Sequence, residues 1–414
     1  MSKKNSNILA IGIMFFLFAM ISFVTGLQNP MGVIVKSQFG ASNAMSQLGN
    51  LANFIAYAFM GLPAGFILKK YGYKLTALAA VAVGFIGVGI SFLSGVAESF
   101  AVYLTGAFVS GFSMCMLNTV VNPMLNTLGG GGNKGNQLIQ IGGVFNSSAA
   151  VACYILMGAL IADASKAKIA DATPALMIAL AIFVIAFVII LFTKIEEPEQ
   201  APVQLDLIKG AMSHKHFALG TLGIFLYMGI EVGVPNFVQQ YLIEERNIPA
   251  ATVGMLVAVY WFMMLIGRFV GASIGDKVSS RAMITTVSCA TMVLVLFGMF
   301  APTDVLVSFP GVDWGKLKMI WQPVPVGIFS FLLVGLCTSV MWGAIFNMAV
   351  EGLGKYTAIA SGIFMTMVFG CAVMMFIQAT VADMTDYITS FWVVVFCAAY
   401  LLYYAQVGSK IAKK

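Results

Sequence analysis

Between Phe225 and Leu242 the chain reads FLYMGIEVGVPNFVQQYL, an apolar stretch long enough to cross a bilayer with a carboxylate, Glu231, near its middle. No other continuous apolar segment holds a carboxylate so deep. A charge at bilayer depth is expensive, so such a group faces a bundle interior or a water-filled cavity. Gly233 and Pro235 follow and weaken the helix, and Asn236, Gln239 and Gln240 add hydrogen-bonding groups. Broken helix with polar groups is tolerated there only where protein or a cavity covers it. The stretch reads as a helix lining a solute pathway, with a helix-packing glutamate as the plainer alternative.

Amides recur at helical spacing elsewhere. Asn50, Asn53 and Tyr57 share one helical face, and Asn118, Asn122 and Asn126 another. Thr25, Gly26, Gln28, Asn29 and Pro30 interrupt the first apolar segment, and Asn146, Ser147 and Ser148 lie in the fifth. Tyr260 and Trp261 fall in the eighth segment, and Trp342, Phe346 and Asn347 in the tenth. A single membrane Asn serves helix packing, but a set spread over six segments suits ligand binding. Amides grip hydroxyls with paired donors and acceptors, and rings stack on the apolar face of a sugar. The substrate-binding set is therefore expected at Asn29, Asn53, Asn118, Asn122, Asn146, Glu231, Gln239 and Asn347.

These residues need a frame, and composition supplies it. Of 414 residues 60% are hydrophobic and only 9% charged, which puts most of the mass in lipid. At roughly 20 apolar residues per crossing, twelve segments are expected, near 8–35, 46–68, 75–95, 101–127, 138–162, 174–194, 216–243, 250–274, 282–300, 324–350, 357–381 and 387–408. The first runs too long and lacks the small-residue site of a cleaved signal peptide. With the N-terminus cytoplasmic, fifteen Lys and Arg residues fall inside and six outside, with Arg268 in the membrane. Both termini are thus expected in the cytoplasm. The net charge of +6 is then mostly this bias, and no nucleic-acid partner is expected. The six cysteines lie in expected spans, so no disulfide is expected. His214 and His216 are too few ligands for a metal. Neither a metal nor another cofactor is expected.

Six segments precede the polar stretch KIEEPEQAPVQLDLIKGAMSHK and six follow it. The expected organisation is a bundle at 1–193, a cytoplasmic linker at 194–215 and a second bundle at 216–414, a plan that encloses a midplane site. Each half places glycine about one turn before a tight basic loop, GFILKKYGYK from Gly65 and GASIGDKVSSR from Gly271. This looks like the signature loop of the major facilitator superfamily. The first copy has Lys69 where an aspartate is common, and the second keeps Asp276. Lys69, Arg268, Asp276 and Arg281 are expected to serve gating at the cytoplasmic end.

LNTVVNPMLNTL from Leu117, VFNSSAA from Val144, IGRFVGASIGD from Ile266 and IFNMAVEGLGKYTAIASGIFM from Ile345 occur in the order of the fucose–galactose–glucose:proton symporters, as does the Glu231 stretch. The chain resembles that family, whose L-fucose permease branch is the best known, over most of its length. The resemblance implies an all-α membrane protein of major facilitator fold, with 12 transmembrane helices in two pseudo-symmetric six-helix bundles. It also implies a secondary transporter importing a neutral monosaccharide (hexose, deoxyhexose or N-acetylhexosamine) across a bacterial inner membrane by alternating access. Against that pattern, the acidic residue of the first span is matched by Gly32 and the glutamate of the fourth by Asn118. Asn146 keeps the amide of the fifth, and Glu231 matches the glutamate of the family's glucose and galactose carriers.

Two mechanisms follow. In one, Glu231 takes up a proton and couples it to sugar entry. In the other it stays charged, holding sugar hydroxyls or pairing with a helix N-terminus or Arg268, and transport is uncoupled or coupled to another ion. A drug or lipid exporter is the rival substrate class, given 27 methionines, although the amides favour a hydroxylated solute. An enzyme is not expected. Gly129–Gly132 lack the GK[ST] of a phosphate loop, and no long cytoplasmic domain is available. Sugar, protons and membrane lipids are the expected partners of a monomer.

Overall fold

Apolar runs punctuated by glycine, proline and lysine fold here into a helical bundle, because only helices satisfy their own backbone groups in lipid. The structure, a computed structural model, describes residues 3–128, 132–161, 163–193, 206–274, 278–313 and 318–411. The first half comprises α1 (Lys3–Gly26), α2 (Gln28–Phe39), the short α3 (Asn43–Ser46), α4 (Leu48–Ala97), α5 (Phe100–Leu128), α6 (Gly132–Leu160) and α7 (Thr173–Phe192). A short helix, α8 (Asp206–Met212), leads into the second half. There follow α9 (Lys215–Glu244), α10 (Ala250–Ile274), α11 (Ser280–Phe300), strands β1 (Leu306–Asp313) and β2 (Lys318–Pro325), α12 (Gly327–Val350), α13 (Thr357–Met367), α14 (Gly370–Met384), α15 (Tyr387–Ser390) and α16 (Trp392–Tyr403).

Eleven helical stretches among the described residues are long and apolar enough to cross a membrane. One of them, α4, is 50 residues long and turns back at Gly72, whose φ of 77° a side chain would resist, so it carries two of the twelve expected segments. Beyond this turn the Lys74 ammonium donates to the carbonyls of Leu191 and Thr193 at 2.9 and 2.8 Å, where α7 has run out of amide partners. The expected interruption of the first segment amounts to one residue, Leu27 between α1 and α2, whose backbone keeps helical dihedrals (φ −62°, ψ −29°).

The segment around Glu231 differs from its expectation. Pro235 does not break α9, which runs unbroken for 30 residues. Proline removes the N–H that would have bonded the carbonyl four residues back, that of Glu231. The Tyr260 hydroxyl donates to that carbonyl at 2.9 Å. A side chain from α10 thus replaces the missing helix bond and fixes α9 against its neighbour.

Burial ranks the helices. In α9 and α12, 67% of the apolar window is buried, against 33% in α7 and 28% in α11, which present Val184, Phe192, Val293 and Phe300 outward. The first half packs α4 on α5 and α7, and α1 on α6; the second packs α12 on α9, α10 and α11. Across the halves, α6 meets α10 and α4 meets α13 and α14. Glycines permit these seams. A Cβ on Gly254 would lie 2.4 Å from the Tyr154 carbonyl, and one on Gly61 would lie 2.9 Å from the Thr366 backbone.

One element has no counterpart in the expected segments. β1 and β2 pair antiparallel from Leu306↔Pro325 to Asp313↔Lys318, forming a hairpin between α11 and α12. It lies at the same end of the bundle as Lys36, Glu244 and Asp383. We call this the hairpin end, and the end holding the 194–215 connection the linker end.

Candidate functional site

Polar residues run in layers along the axis between the halves. At the hairpin end, Lys36 of α2 forms an ion pair with Glu244 of α9 and hydrogen-bonds Asn43. Its ammonium also donates to the Tyr387 hydroxyl at 2.9 Å. Tyr387 in turn donates to Glu244 at 2.7 Å. Asp383 accepts from the backbone N–H groups of Asn43 and Ala44 at 2.9 and 2.8 Å, so a carboxylate of the second half caps the first turn of α3. Among the described residues, Lys36–Glu244 is the ion pair that joins the halves.

Below this seal, amides continue the chain of contacts toward the midplane. The Tyr387 hydroxyl also lies 3.2 Å from the side-chain oxygen of Gln240, and Gln240 donates to Asn236 at 3.3 Å. Asn236 donates across the halves to Gln47 at 2.8 Å. Asn50 donates to Gln47 at 3.0 Å and to Asn29 at 2.9 Å. Asn29 ends the relay, donating to the Tyr154 hydroxyl at 2.5 Å. Gln47, Asn50, Asn29, Asn236 and Gln240 are all buried.

Near the middle of α9, Glu231 is half-buried. The Tyr227 hydroxyl lies beside its carboxylate, and the Arg268 guanidinium interacts with it electrostatically. Arg268 itself crosses the seam, donating to the Gly143 carbonyl and, at 2.9 Å, to the Ser147 hydroxyl. Aromatic rings wall the region. Tyr154 and Trp261 lie 6.2 Å apart at 30°, Tyr260 stands edge-on to Trp261 at 5.5 Å, and Tyr227 is 6.3 Å from Trp342.

Toward the linker end the lining becomes accessible. Asn118 donates to the Tyr57 hydroxyl at 3.2 Å and to the Met114 carbonyl at 3.1 Å. Asn122 donates to the Asn118 carbonyl and Asn146 to that of Phe18, both at 3.0 Å. All three are half-buried, and the structure gives their side-chain oxygens no donor among the described residues. Three committed donors with open acceptors can receive hydroxyl protons from a ligand. Farther out, Arg281, Asn347, Glu351, Ser279, Ser280 and Ser409 line a cleft of about 460 Å³.

The eight expected binding residues therefore separate. Asn29 and Glu231 lie in or beside the aromatic-walled region, and Asn118, Asn122 and Asn146 line its approach. Asn53 is turned away, donating to the Ala107 carbonyl at 3.1 Å and Ser110 at 3.2 Å, which fastens α4 to α5. Gln239 is buried, and its side-chain oxygen has no partner among the described residues. Asn347 is exposed in the linker-end cleft rather than at the midplane. Of the expected gating residues, Lys69 is exposed, Arg281 lines the cleft, and Asp276 lies outside the described residues. Arg268 bonds across the seam to Gly143 and Ser147 of α6 and reaches Glu231 only electrostatically. Sequence reasoning missed the hairpin-end group Lys36, Glu244, Asp383 and Tyr387, whose one sequence signal is charge beside the ends of apolar segments.

The profile of the Major Facilitator Superfamily matches residues 14–376. The chain is 28% identical to a glucose/galactose transporter of Brucella abortus, over 99% of this chain and 96% of that one. It is 20% identical to the L-fucose-proton symporter of Escherichia coli, covering 96% and 92%. A crystal structure of FucP in the outward conformation superposes with a TM-score of 0.71 at 18% identity, covering 98% of this chain and all of that one.

Proposed function

This chain belongs to the Major Facilitator Superfamily and is a multi-span membrane transporter, and from that premise we propose that it imports a neutral monosaccharide with a proton. The carrying observation is the midplane group: one carboxylate among tyrosines and tryptophans, approached past three amides with open acceptors. Hydroxyls fit amides and aromatic faces, and one titratable group in a closed site can load one proton. The names of the relatives, glucose/galactose transporter and L-fucose-proton symporter, support the sugar class and the coupling.

The positive-inside bias puts the hairpin end outside and the linker end in the cytoplasm of a bacterial inner membrane. On that orientation this conformer is sealed outward and opens inward. Its halves, near 1–193 and 216–414, rock about the α6–α10 and α4–α13 seams. Sugar and proton would enter once the hairpin-end seal parts and leave past Asn118, Asn122 and Asn146.

A second reading, facilitation without protons, is favoured by the electrostatic interaction of Arg268 with Glu231, which gives the site a permanent charge of its own. Proton movement separates the two. In de-energised cells, symport takes a proton from the medium with each sugar. The expected result on adding substrate is a transient rise in external pH that a protonophore abolishes. Sugar entry with a flat pH trace would leave the facilitator or coupling to another ion.

A further inference from the structure

The midplane holds two donors that the account so far leaves idle. Trp261 is only 8% exposed, and its indole N–H finds no acceptor among the described residues. It leans toward the Tyr154 hydroxyl of the opposite half without closing a bond to it. That hydroxyl already accepts from Asn29, and the structure provides no acceptor for its own proton among the described residues. Two buried donors, one from each half, thus face the same region with no acceptor in bonding geometry among the described residues. Buried donors left unmet cost free energy, so native proteins seldom keep them without a role.

The missing partner has a definable chemistry. It must bring two lone pairs on one small atom to a site walled by rings. A hydroxyl oxygen does this, whereas an ammonium or lipophilic cation brings no acceptor. We propose that Trp261 is a specificity-determining residue: its indole N–H and the Tyr154 hydroxyl donate to a single hydroxyl oxygen of the sugar, which is held between the halves. The proposal rests on the monosaccharide reading and assigns one substrate hydroxyl to one pair of side chains. It also connects the ligand to the seal, because Tyr154 is the inner end of the relay through Asn29, Asn50, Gln47 and Asn236.

The test is counterflow in proteoliposomes with the transported sugar and its monodeoxy analogues, in wild type and Trp261→Phe, which keeps a ring and removes the N–H. Wild type should take one analogue about 10- to 100-fold less well than the parent sugar, the loss of a buried hydrogen-bond set. Trp261→Phe should weaken the parent by a similar factor and leave that analogue nearly unchanged, so discrimination collapses at that position alone. Unaltered discrimination at every position would overturn the proposal, as would an equal loss for all the sugars. If Trp261→Phe does not fold, Tyr154→Phe tests the same oxygen. Wild-type protein that shows no counterflow with any sugar would remove the monosaccharide reading itself, a result distinct from failure at Trp261.

Discussion

Glu231→Gln should abolish concentrative uptake while leaving sugar counterflow intact. The amide keeps the size of the carboxyl and its contact with Tyr227, but it cannot accept a proton. Arg268 would lose its facing charge and yet retain the Gly143 carbonyl and the Ser147 hydroxyl. One proton moving through 100 mV is worth about 2.3 kcal/mol, or about fifty-fold accumulation. The variant should fall from that ratio to about unity, measured as internal over external sugar in energised vesicles. Exchange of labelled for unlabelled sugar needs no driving force and should stay within a few-fold of wild type. Accumulation retained by Glu231→Gln would move the coupling group elsewhere or leave transport to another ion.

Lys36→Ala should open the hairpin end. The ion pair with Glu244 is partly shielded, with side-chain exposures of 18% and 27%, so it is worth more than a fully solvated pair. Its loss also leaves Glu244 and Tyr387 short of a shared donor. A cost of about 1–3 kcal/mol to the sealed state corresponds to a shift of about 5- to 150-fold toward the outward-open state. A cysteine placed at Ser46, which is 1% exposed beneath the seal, reports on this equilibrium. Membrane-impermeant maleimide applied from outside should label it faster by that factor in Lys36→Ala. Glu244→Gln should show the same direction with a smaller change, because the amide can still accept from Tyr387. Equal labelling rates in all three proteins would mean that the ion pair does not hold the seal.

Much of this arrangement was legible in the chain, for physical reasons that also mark where legibility ended. Twelve apolar segments follow from hydrophobic length, and Glu231 stands out because a carboxylate inside one is rare. Asn118 and Asn122 of α5 share one side because the helical period is fixed. Their partners are another matter. Asn53 looked like Asn50 in spacing, yet it faces α5 while Asn50 faces Asn29, a difference set by helix rotation rather than period. Asn347 is far enough along α12 to have left the midplane. Lys36, Asn43, Glu244, Asp383 and Tyr387 meet across separations of up to 351 residues, and each alone reads as an ordinary charge or polar group at a segment end. Pro235 promised a break because the sequence does not reveal that Tyr260 would take up the freed carbonyl. The hairpin carries Pro310, Gly311, Pro323 and Pro325, residues that depress strand propensity in a central strand but are tolerated in an isolated two-stranded ribbon.

The most direct measurement is counterflow in proteoliposomes preloaded with each of a panel of unlabelled hexoses, deoxyhexoses and N-acetylhexosamines. It needs neither a proton gradient nor an assumption about orientation, so it isolates substrate from coupling. The account predicts that one neutral monosaccharide, loaded inside, drives transient uptake of its labelled form against the gradient of label, saturably and in competition with its close epimers. Folded protein that shows no trans-stimulation by any sugar on the panel, yet moves a lipophilic cation, would contradict it.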